Sequence, residues 1–207
     1  MTIGILVVGV NGWEKYTLKL INSIKQNEEN EDYHFIVLDN GSDPPYPHYN
    51  IRTKQTVCYA AAINSGVDYM SIGHYDWFLI LNNDVLCEGP FVDEIKGLSP
   101  DRIYGNKLHD RFGHTWVDGW MILIPASVHA VVGYFDERFA IAAYEDADYC
   151  IRAAKIGYPT QASDLPFRHL QTLDRMKMKY DGDDEFWREN LELLKGKHDL
   201  KEKKGKG

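Results

Sequence analysis

The chain has 207 residues, 44% hydrophobic and 26% charged, an ordinary composition for one globular domain large enough to bury a core. Its 23 basic and 31 acidic residues give a formal net charge of −8, which argues against a nucleic-acid or anionic-membrane surface but leaves room for a phosphate-bearing small molecule held through a metal. Three scattered cysteines, Cys58, Cys87 and Cys150, argue against a disulfide framework or zinc knuckle, and no apolar run approaches ~18 residues, so a soluble, cytoplasmic protein without a transmembrane segment is expected.

Ile3 to Val10 is a short apolar run without a basic leader, and predicts a first strand in place of a signal peptide. Asn11, with Glu14 three residues on, predicts an N-cap for a helix carrying Thr17, Leu20, Ile21 and Ile24 and ending in the polar residues 27–30. His34 to Leu38 predicts a second buried strand that delivers DNGSD, residues 39–43, at its carboxyl end. Pro44, Pro45 and Pro47 make the next segment a loop, and Ile51 to Thr53 a short strand. Tyr59, Ala62, Ile63, Gly66, Val67 and Met70 recur at helical spacing. Trp77 to Leu81 is a fully apolar strand running into Asn82, Asn83 and Asp84.

The second half is less regular. A short helix is predicted at Phe91 to Lys96 and a strand at Asp101 to Leu108. Trp116 to Ile124 is strand-like but broken at Asp118-Gly119-Trp120, and Pro125 to Val132 starts a helix. Glu145 to Ile156 is a clear helix stopped by Gly157. Thr160 to Arg168, which contains Pro166, is expected to be irregular or an edge strand. Asp184 to Lys195 predicts a last helix, and the Lys/Gly-rich tail 201–207 is expected to fray. Alternating strands and helices predict an α/β domain with a mixed, mainly parallel central sheet flanked by helices.

Four polar clusters sit at element ends. Polar residues at the carboxyl end of a buried strand stand where open α/β sheets bind ligands. Asp39 is one such residue, although its Asn-Gly sequence equally suits a tight turn. Asn82-Asn83-Asp84 offers oxygen acceptors and amide donors suited to a hard divalent cation and its phosphates; a capped turn is the plainer reading. Glu145, Asp146 and Asp148 open an otherwise apolar helix, where acids complement the helix dipole and also provide a candidate general base. His169 taken alone is more often a structural hydrogen-bonder than a metal ligand. There is no GxGxxG after the first strand, no P-loop and no GxSxG, so nicotinamide binding, P-loop hydrolysis and a serine-hydrolase elbow lack support.

In order, strand 3–10, VLDNGSD at 37–43, AAINSG at 61–66, LILNNDV at 79–85, DGWMILIP at 118–125, the segment 133–158 and His169 resemble an inverting glycosyltransferase of family 2 with the GT-A fold. The NND form is similar to the rhamnosyltransferase-like branch. The resemblance implies that residues 1–100 bind a nucleotide-diphospho-sugar and residues 101–175 the acceptor, with a C-terminal helix and tail at 176–207. Val10, Asp39, Asn64, Asn83 and Asp84 would contact the donor, a UDP-sugar before a dTDP-sugar. Asp84 and His169 would hold Mn²⁺ or Mg²⁺. Asp146 would be the catalytic base, Glu145 would position acceptor or sugar, and Asp118, Gly119 and Trp120 would form the sugar wall for a glycan acceptor. Asn82 stands where many relatives carry an acid. A non-catalytic nucleotide-sugar or glycan-binding module and a nucleotidyltransferase are the alternatives. About forty residues follow His169, so the chain is expected to be a minimal enzyme or one module of a longer protein.

Overall fold

The computed structural model describes residues 1–170 and 185–201. Its first strand, β1 (Ile3–Gly9), is buried along its whole length. It pairs in parallel with β2 (Tyr33–Asp39) on one side and with β4 (Trp77–Asn82) on the other. The short β3 (Ile51–Arg52) extends the β2 edge, also in parallel. Beyond β4 lies β9 (Met121–Pro125), the antiparallel member, then β6 (Ile103–Gly105) and β10 (Thr160–Ala162). This is the mixed, mainly parallel sheet expected, with the order β10-β6-β9-β4-β1-β2-β3.

Both faces are covered, which is why the central strands read as continuous apolar runs instead of alternating ones. Ile3, Ile5 and Val7 face α1 (Leu18–Asn27) and α3 (Val92–Lys96). Leu6 and Val8 face a larger core built from α2 (Tyr59–Ile72), α4 (Ala126–Val132), α5 (Glu145–Lys155) and Leu194 of α6 (Glu185–His198). At Gly66 α2 presses close on β1: a Cβ there would lie 2.3 Å from Leu6 Cδ2 and 2.5 Å from its Cδ1. Since Leu6 is itself fully buried, Gly66→Ala is expected to lower stability by about 1–3 kcal/mol, measured by urea denaturation, through overpacking.

The register places the chemistry. Gly9 lies opposite Asp39, and Val8 opposite Asn82, so three strands end together. From that edge the chain turns at Asn83-Asp84 into β5 (Val85–Cys87), whose antiparallel partner β11 (Phe167–His169) sets His169 opposite Val85.

Several local expectations are corrected. Asn11 is not an N-cap, and no side-chain cap bond is made there. Asn11 and Gly12 both adopt positive φ (56° and 68°), and the helix starts with a π-helical turn at Trp13–Thr17. The Asn11 side chain instead accepts from the Asp43 N–H at 3.0 Å, while its own N–H donates to Ser42 Oγ at 2.7 Å, pinning the 40s loop; a long-range partner outcompeted the local cap. The strand expected at 101–108 is two, β6 and β7 (Leu108–Arg111), and β7 folds back on β8 (His114–Val117) as a hairpin. Its two-residue turn, Phe112-Gly113, has positive φ at both positions (58° and 78°), the twist that matches paired strands. Residues 160–168 agree with the edge-strand expectation, since they contribute β10 at the sheet edge and most of β11, with Pro166 between them. The last helix runs Glu185–His198; Asp184 and the tail 202–207 lie outside the described residues. No helix among the described residues is long and apolar enough to cross a membrane.

Candidate active site

A cavity of ≈ 840 Å³ opens at the carboxyl ends of β1 and β4. Val8, Gly9, Val10 and Asn40 line one end, and Asn82, Asp84 and His169 lie along its wall with Asp118, Gly119 and Trp120. Glu145 and Asp146, from the first turn of α5, also line it.

Asp84 and His169 meet through the β5–β11 pairing: His169 Nε2 lies 3.2 Å from Asp84 Oδ1, and the Leu170 N–H donates to the Asp84 carbonyl at 2.9 Å. Trp120 stacks flat on the imidazole, centroids 5.1 Å apart and planes within 6°, which fixes the ring's orientation. The Asn82 N–H donates to the Trp120 carbonyl at 2.9 Å, locking that indole to the strand end. Among the described residues no group of three or more His, Cys, Asp or Glu side chains gathers as a metal site. A carboxylate and an imidazole on a cavity wall nonetheless fit a divalent ion such as Mn²⁺, whose remaining positions are commonly filled by substrate phosphates and water.

Asp146 is held from two sides. The Gly119 N–H donates to Oδ2 at 2.8 Å and the Ala147 N–H to Oδ1 at 2.7 Å. The approach is close: a Cβ at Gly119 would lie 3.1 Å from Asp146 Oδ2, so a side chain there would have to push the carboxylate aside by a few tenths of an ångström. Burial, opposed by these two N–H groups and reinforced by Asp118, pushes the Asp146 carboxyl above the usual range. Glu145 is 4% exposed, its Oε2 has no hydrogen-bond partner among the described residues, and burial followed by the neighbouring Asp146 charge pushes it up further. Both carboxyls are raised and they repel each other when charged, so the pair favours holding one proton between them near neutral pH.

A carboxyl whose folded pKa is raised favours folding only while it is protonated in both states; that stability is lost as pH rises from the unfolded pKa through the folded one. Relative to Glu145→Gln, the wild-type protein is therefore expected to lose about 1–3 kcal/mol between pH 5 and pH 8, read from denaturation midpoints across that range.

The remaining predicted site residues stand elsewhere. Asp39 is fully buried behind the wall, accepting from the N–H groups of Ser42 (2.9 Å) and Tyr46 (3.1 Å) and from Arg52 Nε (3.0 Å). Despite burial these donors hold its carboxyl below the usual range. The Asn83 side chain turns away from the cavity, donating to Thr17 Oγ1 at 2.9 Å and to the Tyr46 hydroxyl at 3.1 Å. Asn64 bonds the backbone of Phe135 in both directions and donates to Glu137, fastening α2 to the turn before α5. Asp148 is buried in ion pairs with Arg152 and Lys197, and His198 Nε2 lies 2.8 Å from its Oδ1.

Residues that sequence reasoning passed over also line the cavity: Asn40, the hairpin's Lys107, His109, Asp110, Arg111 and Trp116, and the aromatic pair Tyr144 and Trp187. Lys107 Nζ lies 2.8 Å and His109 Nε2 3.3 Å from Asp118, so the hairpin is tied to the wall beside Asp146. Gly113, the second residue of the hairpin's turn, was the one cue available along the chain.

No family model matches the chain, and no curated protein does. Solved structures do. The chain is similar to S. aureus TarS, with a TM-score of 0.63 and 12% identity over 95% of this chain and 39% of the other. It is similar to the mannosyltransferase PcManGT of Pyrobaculum calidifontis in complex with GDP-Man and Mn²⁺, with a TM-score of 0.61 and 13% identity over 78% of this chain and 54% of the other. A mutant of Drosophila β1,4-galactosyltransferase 7, in complex with manganese, UDP-Gal and xylobiose, has a TM-score of 0.63 and 14% identity over 100% of this chain and 83% of the other. The chain thus spans less than two thirds of the first two. At these identities the likeness is one of shape, and with the seven-stranded mixed sheet it shows the fold: the chain has the GT-A fold of nucleotide-diphospho-sugar transferases.

Proposed function

We propose that the protein transfers a sugar from a nucleotide-diphospho-sugar to a hydroxyl of a glycan acceptor, with inversion at the anomeric carbon. The observation that carries this reading is that one cavity holds both the Asp84–His169 pair and Asp146, a carboxylate aimed by two backbone N–H groups. A pure binding module has no need of an aimed carboxylate whose pKa burial has raised.

Residues 1–100 would hold the donor, with Val10 and Asn40 at the nucleotide end and Asn82 and Asp84 toward the diphosphate. Asp39, Asn83 and Asn64 would act from behind, setting the 40s loop, the strand end and α2. Residues 101–175 would hold the acceptor. The solved complexes with UDP-Gal and with GDP-Man support a nucleotide-sugar donor, and a UDP-sugar is favoured over a dTDP-sugar. Asp84 and His169 would hold Mn²⁺ or Mg²⁺; when bound, the ion stabilises charge on the departing diphosphate. Asp146 accepts the proton of the attacking hydroxyl, and its neighbours keep it facing the acceptor. Glu145, which lines the cavity beside Asp146, would position the acceptor or the sugar by hydrogen bonding to a hydroxyl. Trp120 and Tyr59, whose hydroxyl donates to the Gly119 carbonyl at 3.3 Å, wall the sugar. Three unpaired thiols support a reducing compartment, the cytoplasm.

The test is a thermal-shift screen with UDP-, GDP- and dTDP-sugars, with and without Mn²⁺, followed by transfer assays on glycan acceptors. One donor should stabilise the protein in a metal-dependent way. If no donor shifts the midpoint with any metal, the proposed function is overturned.

A further inference from the structure

The segment from Ala140 to Tyr144 leads into the first turn of α5 and supplies Ala142, Ala143 and Tyr144 to the cavity wall. Its backbone is strained. Ile141, Ala143 and Tyr144 have φ of 62°, 87° and 71°, none is glycine, and Ile141 is β-branched. Such a conformation persists only where its surroundings impose it.

One side chain imposes most of it. Asn190 of α6 is 2% exposed. Its Oδ1 accepts from the Ala140 N–H at 3.0 Å, and its Nδ2 donates to the carbonyls of Ala140 (2.9 Å), Ala142 (3.0 Å) and Ala143 (3.1 Å). The carbonyls left over are taken by α2 and α5: the Tyr59 N–H donates to Ile141 at 2.7 Å, and the Asp148 N–H donates to Tyr144 at 2.9 Å. Each carbonyl of the segment thus has a donor within hydrogen-bond distance, three of the five sharing the two N–H groups of a residue about fifty positions away.

The arrangement requires an amide on a short stem. A carboxylate would serve the Ala140 N–H but set negative charge against three carbonyls, and alanine would leave all four groups without this partner. The helix that carries Asn190 is itself anchored, by Leu194 in the core and by Lys197 and His198 on Asp148 at 2.7 and 2.8 Å. On the same helix Trp187 meets Tyr144 edge-on, centroids 6.0 Å apart, at the cavity wall.

We propose that Asn190 is a positioning residue, clamping the 140–144 segment in the shape that lines the acceptor side of the cavity and aims the first-turn carboxylates of α5. It acts through the backbone. The kinetic part of its test rests on the sugar-transfer reading; the exchange part does not.

The experiment compares the full chain with Asn190→Ala, Asn190→Asp and the double variant Asn190→Ala/Ala143→Gly. Amide hydrogen exchange of residues 140–146 is followed by mass spectrometry, and kcat and KM for the acceptor are measured separately from donor affinity by calorimetry. Both single variants should exchange about tenfold or more faster in this segment while α2 and the sheet keep their protection. Acceptor kcat/KM should fall on the order of 10–100-fold with donor affinity within about twofold. Ala143→Gly should restore part of the loss, because glycine occupies the left-handed region without strain. Unchanged exchange in the segment, no recovery with glycine, or donor affinity falling in step with the acceptor parameters would each overturn the clamp. If the wild-type protein transfers no sugar, the functional reading alone fails, and exchange with the glycine rescue still decides the clamp.

Discussion

Asp146→Asn is expected to lower sugar transfer by about 10²–10⁴-fold while leaving nucleotide-sugar binding intact, the range a positioned general base contributes. The substitution is nearly isosteric, so the α5 first turn keeps its volume. What changes is chemistry. An amide cannot take the acceptor proton at neutral pH. Of the two N–H groups that converge on the carboxylate, from Gly119 at 2.8 Å and Ala147 at 2.7 Å, the amide oxygen can accept only one; its NH₂ must face the other as a second donor. Removing the Asp146 charge also removes one of the causes that raise Glu145. The measurements are initial transfer rates with saturating donor and a calorimetric donor titration of the same variant. Transfer within tenfold of wild type would remove Asp146 from the role of base, and lost donor affinity would point to a collapsed site.

Asp84→Asn has the second largest expected effect, on binding instead of chemistry. Asp84 is 4% exposed, sits at the turn after β4, and shares its Oδ1 with His169 Nε2 at 3.2 Å. With Asn82 and Asn83 both neutral, Asp84 supplies the only formal negative charge in the triplet. A hard divalent cation held by one carboxylate and one imidazole depends strongly on that charge. The variant should lose metal-dependent donor affinity by on the order of 10²-fold or more, while weak metal-independent nucleotide binding persists. Calorimetry with and without Mn²⁺ reads both. An unchanged metal-dependent affinity would show that the ion, if bound, is held elsewhere. His169→Ala, which also removes the ring stacked on Trp120, is the natural companion measurement.

Much of the architecture was legible because burial writes itself into long apolar runs. Ile3 to Gly9 and Trp77 to Leu81 are buried on both faces, and the sheet covered by α1 and α3 on one side and α2, α4 and α5 on the other follows from that. Helix α2 was legible from spacing alone. The places where reading along the chain failed are those where a long-range partner outweighs a local preference. Asn11 has the sequence of an N-cap, yet Ser42 and Asp43 claim its backbone and side chain. The hairpin at 108–117 was missed because its strands are four residues each and half-buried, too short to show a period.

The same limit divides the site. Residue type and order, together with the family resemblance they carry, singled out Asp84, Glu145, Asp146, Trp120 and His169, and all five line the cavity. They also nominated Asp39, Asn64 and Asn83, whose side chains the tertiary structure occupies with the 40s loop, the Phe135 turn and the Thr17–Tyr46 pair. Acids and amides at strand ends look alike in one dimension, because bonding a substrate and bonding the backbone of a neighbouring loop call for the same atoms. Direction separates them, and direction comes from pairing: β11 on β5 brings His169 to Asp84, the break at Gly119 brings an N–H to Asp146, and α6 brings Asn190 to the strained backbone before α5. The amino-acid sequence by itself determined a doubly covered α/β sheet and the residue types of its binding edge. Which of those residues face the cavity was decided only by contacts between segments far apart in the chain, since a side chain's partner is a matter of distance in space and not of position in the sequence.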